Sequence, residues 1–180
     1  MKNIVWGVFF VLIPIGAGAQ QVNKITRLAV SRVKQFDTSG LRVVRVGSDE
    51  VEATNRKGDI LRYRMDRKRN PIPYHCGIAY QLFEFRKGYI TRITTFAVDG
   101  NMAGELESEG EAIMELEIKK KDLLDKQLAR IDEEDGNLDP KDEDQQIVLA
   151  RVYDDRKRLL AEHYISTGYY WELQHMMYRP

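Results

Sequence analysis

A pattern of strand, glycine turn and strand recurs along this chain, and it constrains the fold more than any other feature of the sequence. Its clearest instance spans residues 77–103: a run rich in Ile, Tyr and Phe, the turn Lys87-Gly88, a second such run, and the closing turn Asp99-Gly100-Asn101. Glycine adopts the positive φ that tight hairpin turns require, while β-branched and aromatic residues favour strands. The segment is therefore predicted to form a β-hairpin.

Segments before and after this hairpin follow the same pattern. Together they predict hairpin copies near 51–72, 77–103, 110–138 and 146–170, and the aligned turn positions are Gly58, Gly88, Lys121 and Arg158. Spacing that is nearly constant is typical of a repeated supersecondary unit. Because a single hairpin is only marginally stable, the copies are predicted to share one buried face. The predicted fold is mainly β, an antiparallel meander of hairpins, with a partial barrel as the more curved alternative.

The third copy contains the main conflict between two interpretations of one segment. Its start alternates in the manner of a strand, with Ala112, Met114 and Leu116 on one side. Residues 111–131 are also rich in strong helix formers, and they include a loose helical stripe. Because the segment occupies the place of two strands in the preceding copy, we predict two strands there, with a helix as the alternative.

The two ends of the mature chain are predicted to be strands. Residues 20–36 carry apolar residues at helical spacing, but their many β-branched residues favour a strand with a frayed start. The aromatic and Met-rich tail, 169–180, is predicted to be a last strand that caps the open end of the sheet, because terminal repeats are usually atypical.

Residues 1–19 have the features of a secretory signal peptide. Lys2 precedes an apolar stretch at 4–15, and Ala17-Gly18-Ala19 supplies the small residues that signal peptidase requires. An uncleaved membrane anchor is the alternative. No apolar stretch of comparable length follows, so no membrane span is predicted after cleavage. We therefore expect an exported protein, periplasmic or extracellular, with one domain at 20–180.

The charge balance argues against two classes of partner. The chain has 28 Lys and Arg residues and 28 Asp and Glu residues, and loss of Lys2 with the signal peptide would leave 27 basic residues. Binding to nucleic acid needs clustered positive charge that displaces counterions, and binding to an anionic membrane surface needs a polybasic segment. We therefore predict no nucleic-acid partner.

Residues that carry chemistry are few and scattered. Cys76 is the single cysteine, so no internal disulfide is available, and we predict for it the role of a small buried apolar residue. His75, His163 and His175 show no metal-ligand spacing, and the acidic segment 133–146 departs from the calcium-loop pattern. The sequence therefore predicts no catalytic residue, no cofactor and no metal site.

The best sequence candidate for a binding surface is a cluster of aromatic residues near the C-terminus. It consists of Tyr169, Tyr170, Trp171 and Tyr178. Exposed Tyr and Trp side chains on a sheet form platforms for sugars and peptides. The alternative is that these rings fill the end of the core, because a terminal strand must bury something large.

The units of strand, x-x-x-G, strand and D-x-x-G-N resemble the hairpin repeats of exported bacterial proteins of the YD (RHS-type) and MORN-like classes. The resemblance covers residues 55–171, and the YD dipeptide itself is present as Tyr153-Asp154. Lys121 and Arg158 stand where the turn glycine is expected. The resemblance implies a structural or binding role, and it supplies no catalytic residues to carry over.

The sequence leads to one main functional hypothesis and two alternatives. The main hypothesis is a non-enzymatic, exported β-repeat protein that binds a protein or glycan partner of the cell envelope through its sheet face or open edge. The first alternative is a small exported hydrolase or carbohydrate-active protein that uses dispersed carboxylates. The second is an inhibitor or immunity-like protein that sequesters a secreted effector.

Overall fold

The computed structural model describes residues 24–74, 77–104, 110–133 and 146–175 of the chain. The predicted signal peptide lies outside these residues. The elements follow one another in the order α1 (Lys24–Val30), β1 (Arg42–Arg45), β2 (Glu50–Thr54), β3 (Ile60–Met65), β4 (Pro71–Ile72), β5 (Tyr80–Arg86), β6 (Tyr89–Phe96), β7 (Glu111–Ile118), α2 (Lys121–Glu133), β8 (Val148–Asp154), β9 (Leu159–Ile165) and α3 (Thr167–His175).

The nine strands of the described residues belong to one antiparallel sheet, which does not close on itself there. The strand order is β1-β2-β3-β5-β6-β7-β8-β9, with the short β4 paired to β3. The prediction of a mainly β, antiparallel fold is confirmed at this level. Within the described part of the chain, no helix has the length and apolar character needed to cross a membrane.

Three of the four predicted hairpin positions hold antiparallel strand pairs. These pairs are β2–β3, β5–β6 and β8–β9. The third position is different: β7 forms as predicted, but 121–133 is the helix α2, so the prediction of two strands at 110–138 was wrong. Leu124, Gln127 and Ile131 recur at helical spacing and are all buried, and packing of this stripe stabilises the helix.

Neither end forms the predicted strand where the structure describes it: within 20–36 the helix α1 spans 24–30 and turns follow at 31–36, and in the tail the helix α3 reaches residue 175. In α1, Ala29 and Val30 are buried against the sheet. In α3, Tyr170 and Leu173 lie three residues apart and are both buried. Ser166 caps this helix, because its hydroxyl accepts a hydrogen bond from the backbone N–H of Tyr169 at 3.1 Å. The sequence Ser-Thr-Gly at 166–168 therefore marks the start of a helix.

One five-residue turn geometry recurs between strands. The backbone N–H of the first residue donates a hydrogen bond to the carbonyl of the fifth residue. The fourth residue has a positive φ, and its N–H donates to the carbonyl of the first residue. Turns of this kind begin at Asn55, Asp66, Ala97 and Asp154. The fourth position is held by Gly58, Arg69, Gly100 and Lys157. The geometry tolerates a residue other than glycine at this position, at an energetic cost. The shared turn is a local feature, and a repeat family remains a prediction.

The two faces of the sheet are covered in different halves of the molecule. Face A is the side that carries Leu61 and Leu82, which are register partners and pack with α1 in the first core cluster. Face B is the side that carries Phe83, Ile93 and their partners, which pack in the second core cluster with residues of α2 and α3. Because successive residues of a strand point to opposite faces, Leu82 and Phe83 place the two clusters on opposite sides.

Irregularities in strand pairing allow the helices to dock on face B. A register shift between Glu84 and Phe85 pairs Phe85 with Ile90, and Ile90 is then fully buried in the second cluster. The two helices on this face are joined by a buried hydrogen bond from the Thr167 hydroxyl to Gln127 Oε1. The result is a C-terminal half in which face B is covered and face A is left to solvent.

Candidate functional site

A row of alternating charges crosses the uncovered part of face A. Register pairing aligns one residue from each of five neighbouring strands, so that their side chains share one face. These residues, from β5 to β9, are Glu84, Arg92, Glu115, Arg151 and Glu162. We call this set the charge row. No described helix covers it, and each of its side chains is between 32% and 48% exposed.

Arg92 holds the first part of the charge row together. Its Nε lies 3.6 Å from Glu84 Oε2 and 4.0 Å from Glu115 Oε1. The guanidinium therefore stands between two carboxylates that come from the strands on either side. Such half-exposed pairs stabilise the fold weakly, by about 0–1 kcal/mol each, so the row is not a major source of stability.

Arg151 serves two carboxylates at the other end of the row. Its Nη1 donates to Glu117 Oε2 at 3.0 Å, and its Nε donates to Glu162 Oε2. Hydrogen bonds from Lys119 and then from Arg151 lower the pKa of Glu117. The hydrogen bonds to Glu162 and Glu117 raise the pKa of Arg151. Both residues are therefore charged at neutral pH, and the row ends on the acid Glu162.

The row ends at an edge of the sheet, on the strand β9. Among the described residues no strand pairs with the outer side of β9. Of the six large hydrophobic side chains that are exposed in the described residues, three lie in this strand: Leu159, Leu160 and Tyr164. An exposed, seven-residue edge strand with apolar side chains is a template for pairing with another chain.

The backbone of β8 shows which residues of β9 face outward. Asp154 donates its N–H to the carbonyl of Arg158 at 3.0 Å, so the backbone groups of Asp154 face β9. In an antiparallel pair, hydrogen-bonded and non-hydrogen-bonded positions alternate. Ala150, four residues before Asp154, therefore also faces β9, where its register partner is His163.

It follows that Glu162 and Tyr164, on either side of His163, direct their N–H and C=O groups away from β8. Their side chains lie on face A, because their register partners are Arg151 and Leu149. The outer edge therefore offers backbone donors and acceptors at the same two residues that present a carboxylate and an aromatic ring. An incoming strand would contact both kinds of group together.

The opposite edge of the sheet, β1, is a poorer template. It has four residues, and basic side chains stand at both of its ends, Arg42 and Arg45. Val43 is buried, so its apolar surface is already used in the first core cluster. Short length and charged side chains are the means by which proteins protect sheet edges from association. The two edges of this sheet are therefore unequal, and β9 is the open one.

The predicted aromatic platform is divided by the structure. Tyr170 is fully buried, whereas Tyr169 is 41% exposed, and Trp171 is half-buried. All three lie on α3, so a strand does not carry them, and Tyr178 lies outside the described residues. Tyr170 belongs to the core, as the alternative interpretation of the cluster predicts.

Tyr169 borders a cavity of about 240 Å³ between α3 and face B. Apolar side chains, among them Phe83, Met114 and Leu173, line most of it. At one end lies Arg62, whose Nε donates to Glu52 Oε1 at 3.0 Å. Arg62 is therefore already paired within the protein, and Glu111 is a second charged residue that lines the cavity.

Six carboxyl groups in the described residues have a pKa below the ordinary value, mainly because hydrogen bonds are donated to the carboxylate: Asp37, Asp49, Asp66, Glu117, Asp125 and Asp154. A general acid in glycoside hydrolysis requires a raised pKa, which is the opposite shift.

Side chains that could bind a metal are dispersed in the described residues. No group of three or more His, Asp, Glu or Cys side chains is close enough there to hold an ion. His163 is exposed on β9, while His75 and Cys76 lie outside the described residues.

Sequence reasoning located β9 and its turn but missed the charge row. Each acid or base of the row looks ordinary in its own strand, and only the register between strands aligns them. The resemblance to hairpin repeats stays a prediction, since comparison with protein-family models, with curated proteins and with solved structures finds no match to this chain.

Proposed function

We propose that this chain is a binding module that takes up an extended segment of a partner protein along the outer edge of β9. The segment adds as one more antiparallel or parallel strand, in the mode called β-augmentation. Main-chain hydrogen bonds supply affinity, and side chains on the two faces supply specificity. The proposal keeps the open-edge hypothesis from the sequence and names the edge.

A single observation carries this proposal. One edge strand combines outward backbone groups at Glu162 and Tyr164 with the exposed apolar side chains Leu159 and Leu160. Exposed apolar surface that is rimmed by polar groups marks interaction sites in soluble proteins. The other edge, β1, is short and flanked by arginines, so association is directed to one side of the sheet.

The wider role follows from the N-terminal segment. A signal-like pattern at 1–19 supports export, and we propose a partner in the periplasm or outside the cell. We also propose a non-enzymatic role, in which binding itself is the function. Sequestering a secreted effector and holding an envelope protein are both uses that such an edge would serve.

The test removes one outward N–H from each edge in turn. Proline lacks the N–H donor, and an edge strand tolerates it at outward positions. Tyr164→Pro removes the outward N–H of β9 together with the tyrosine ring. Tyr164→Ala removes the ring and keeps the N–H, so it is the control for loss of the ring. Arg45→Pro is the matched variant on β1: Val46 donates inward to Glu50, so the neighbouring Arg45 faces outward. Thermal unfolding of each variant verifies that the sheet is retained.

The probe is a displayed library of random nine-residue peptides, selected on the mature chain. We expect Tyr164→Pro to weaken binding of selected peptides about tenfold relative to Tyr164→Ala, which corresponds to one or two lost hydrogen bonds. Arg45→Pro should leave the dissociation constant within about twofold. Equal binding by the wild type and Tyr164→Pro would overturn the proposal.

Light scattering tests self-association at the same edge. A symmetric antiparallel pair centred on Glu162 would set two carboxylates opposite each other, which is unfavourable. We therefore expect a monomer. A dimer that Tyr164→Pro abolishes would show that β9 pairs with its own copy, and would overturn the proposal of a different partner.

A further inference from the structure

We infer that the partner segment presents a basic residue opposite Glu162, flanked by apolar residues two positions away on either side. This inference rests on the proposed pairing along β9, and it specifies the chemistry of the segment. It follows from how the charge row is built and where it stops.

The sign of the charge alternates along the row. From β5 to β9 the sign changes at every strand: Glu84 faces Arg92, and Arg92 in turn faces Glu115. The order continues from Glu115 to Arg151, and the row stops at Glu162. Opposite charges stabilise directly facing cross-strand positions, and like charges destabilise them. A sixth strand in the same sheet would continue the alternation with a positive charge.

The charges of the row do not balance. Glu84, Glu115 and Glu162 are three acids for the two bases Arg92 and Arg151, so the row carries one negative charge in excess. Arg92 lies between two acids of the row, and Arg151 divides its hydrogen bonds between Glu162 and Glu117.

Glu162 is the acid with a neighbouring strand on one side only. Its side chain is 48% exposed, and its outer side faces solvent in the described part of the molecule. It is therefore accessible to a second cation without displacement of Arg151. A lysine or arginine on an incoming strand would complete a pair of bases around this carboxylate, as Arg92 and Arg151 flank Glu115.

Two exposed apolar side chains lie on either side of Glu162 on face A. Tyr164 lies on the same face as Glu162, because its register partner Leu149 lies two residues from Arg151. Leu159 also lies on this face, because a register shift between Val152 and Tyr153 pairs it with Tyr153. Both side chains are more than 40% exposed, at 43% and 55%. The partner segment should therefore read apolar, any residue, basic, any residue, apolar.

The experiment compares peptides selected from the same random library by the wild type, Glu162→Lys and Glu162→Gln. Wild-type selection should enrich Lys or Arg at one position within an alternating apolar pattern. Glu162→Lys should replace that enrichment by Asp or Glu, and Glu162→Gln should remove the preference. Glu172 on α3 is exposed. Glu172→Lys changes the net charge of the protein by the same amount as Glu162→Lys, so it controls for a general attraction between protein and peptide.

Binding constants quantify the preference. A wild-type-selected peptide and its Lys→Glu counterpart should differ about fivefold in affinity for the wild type, and the order should reverse for Glu162→Lys. The ratio of the two affinities should shrink as the salt concentration is raised from about 0.05 M to 0.5 M, because Glu162 and the basic residue of the peptide would form a half-exposed ion pair.

The possible failures are distinguishable. Selected peptides that alternate in apolarity, depend on Tyr164 and show no charge preference would overturn this inference while the pairing along β9 stands. Peptides whose binding does not depend on Tyr164 would overturn both. A charge preference that Glu172→Lys changes as much as Glu162→Lys would assign the effect to net charge and overturn the inference.

Discussion

The hydroxyl of Tyr170 donates a hydrogen bond to the backbone carbonyl of Ile90, 3.1 Å away and 80 positions earlier in the chain. Both residues are fully buried in the second core cluster. Burial raises the pKa of Tyr170, so the phenol stays protonated and keeps its donor. The bond fixes α3 against β6 at the point where the strand is irregular.

Replacing Tyr170 by phenylalanine should lower the free energy of unfolding by about 1–2 kcal/mol, because the carbonyl of Ile90 loses a buried donor. Tyr169→Phe is the matched change on the next residue, whose side chain is 41% exposed, and should cost no more than about 0.5 kcal/mol. Urea unfolding measures both. Equal losses would show that the Tyr170 hydroxyl has no special role.

A second prediction concerns the nearly buried pair of Arg62 and Glu52, whose side chains are 10% and 14% exposed. Glu52→Gln should lower the free energy of unfolding by about 2 kcal/mol, because the guanidinium loses its closest counter-charge. Glu50, at 3.8 Å from Arg62 Nε, limits the loss. The exposed pair Lys57 and Asp37 provides the control.

Lys57→Gln should change the free energy of unfolding by less than about 0.5 kcal/mol, because that pair is 4.0 Å apart and largely in solvent. The double variant Arg62→Met/Glu52→Leu should be closer to the wild type than Glu52→Gln alone, since it leaves no unpaired buried charge. A double variant as unstable as the single one would contradict this account.

A third prediction concerns pH. Backbone N–H of Arg158, and then the Arg158 guanidinium, hydrogen-bond to Asp154 and lower the pKa of its carboxyl group. The carboxylate therefore stabilises the folded state above its unfolded pKa, and this stabilisation is lost as pH falls through the lowered folded pKa.

The variant Asp154→Asn keeps an acceptor oxygen, as Asn55 does in the equivalent turn, but it does not titrate. The melting temperature of the wild type should exceed that of the variant most at neutral pH. The difference should shrink between about pH 5 and pH 2. If the melting temperatures of the two proteins fell in parallel across that pH range, the loss of stability in acid could not be assigned to Asp154.

The turns themselves supply a fourth prediction. Gly58 has φ of +88° and open space where a Cβ would be, so Gly58→Ala should cost about 1 kcal/mol from backbone strain alone. Lys157 occupies the equivalent position with φ of 62°, and Lys157→Gly should stabilise the fold by about 0.5–1 kcal/mol. Chemical denaturation of both variants tests the pair. If both variants changed the free energy of unfolding in the same direction, the two turns would not be equivalent.

Local sequence signals were sufficient for the hairpins, because a turn fixes the pairing of the two strands beside it. Gly58, Gly88 and the turn at Asp154 mark three antiparallel pairs, and those pairs form. The helix α2 was not predicted, because the repeat pattern favoured two strands over the helical stripe that contains Leu124 and Ile131. In α3 the cap Ser166 is a helix-start signal in the sequence, but the tail that follows it was predicted to be a strand because terminal repeats are usually atypical.

The candidate site was beyond sequence reasoning for a different reason. Whether Glu115 faces Arg151 depends on register, and irregularities such as that between Glu111 and Ile113 change the register by one residue. A shift of one position would move a whole strand's charges to the other face. The row therefore exists only in the assembled sheet.

Adjacent residues in β5 belong to different cores, since Leu82 packs with the α1 side and Phe83 with the side of α2 and α3. The first and second core clusters thus meet at the central strands, since β6 likewise supplies Phe96 to the first cluster and Ile90 to the second. Loosening of either cluster would remove the support from one face of these strands and leave the other face packed. Hydrogen exchange should accordingly be slowest in β5 and β6, with β1 and β9 exchanging first and independently of each other.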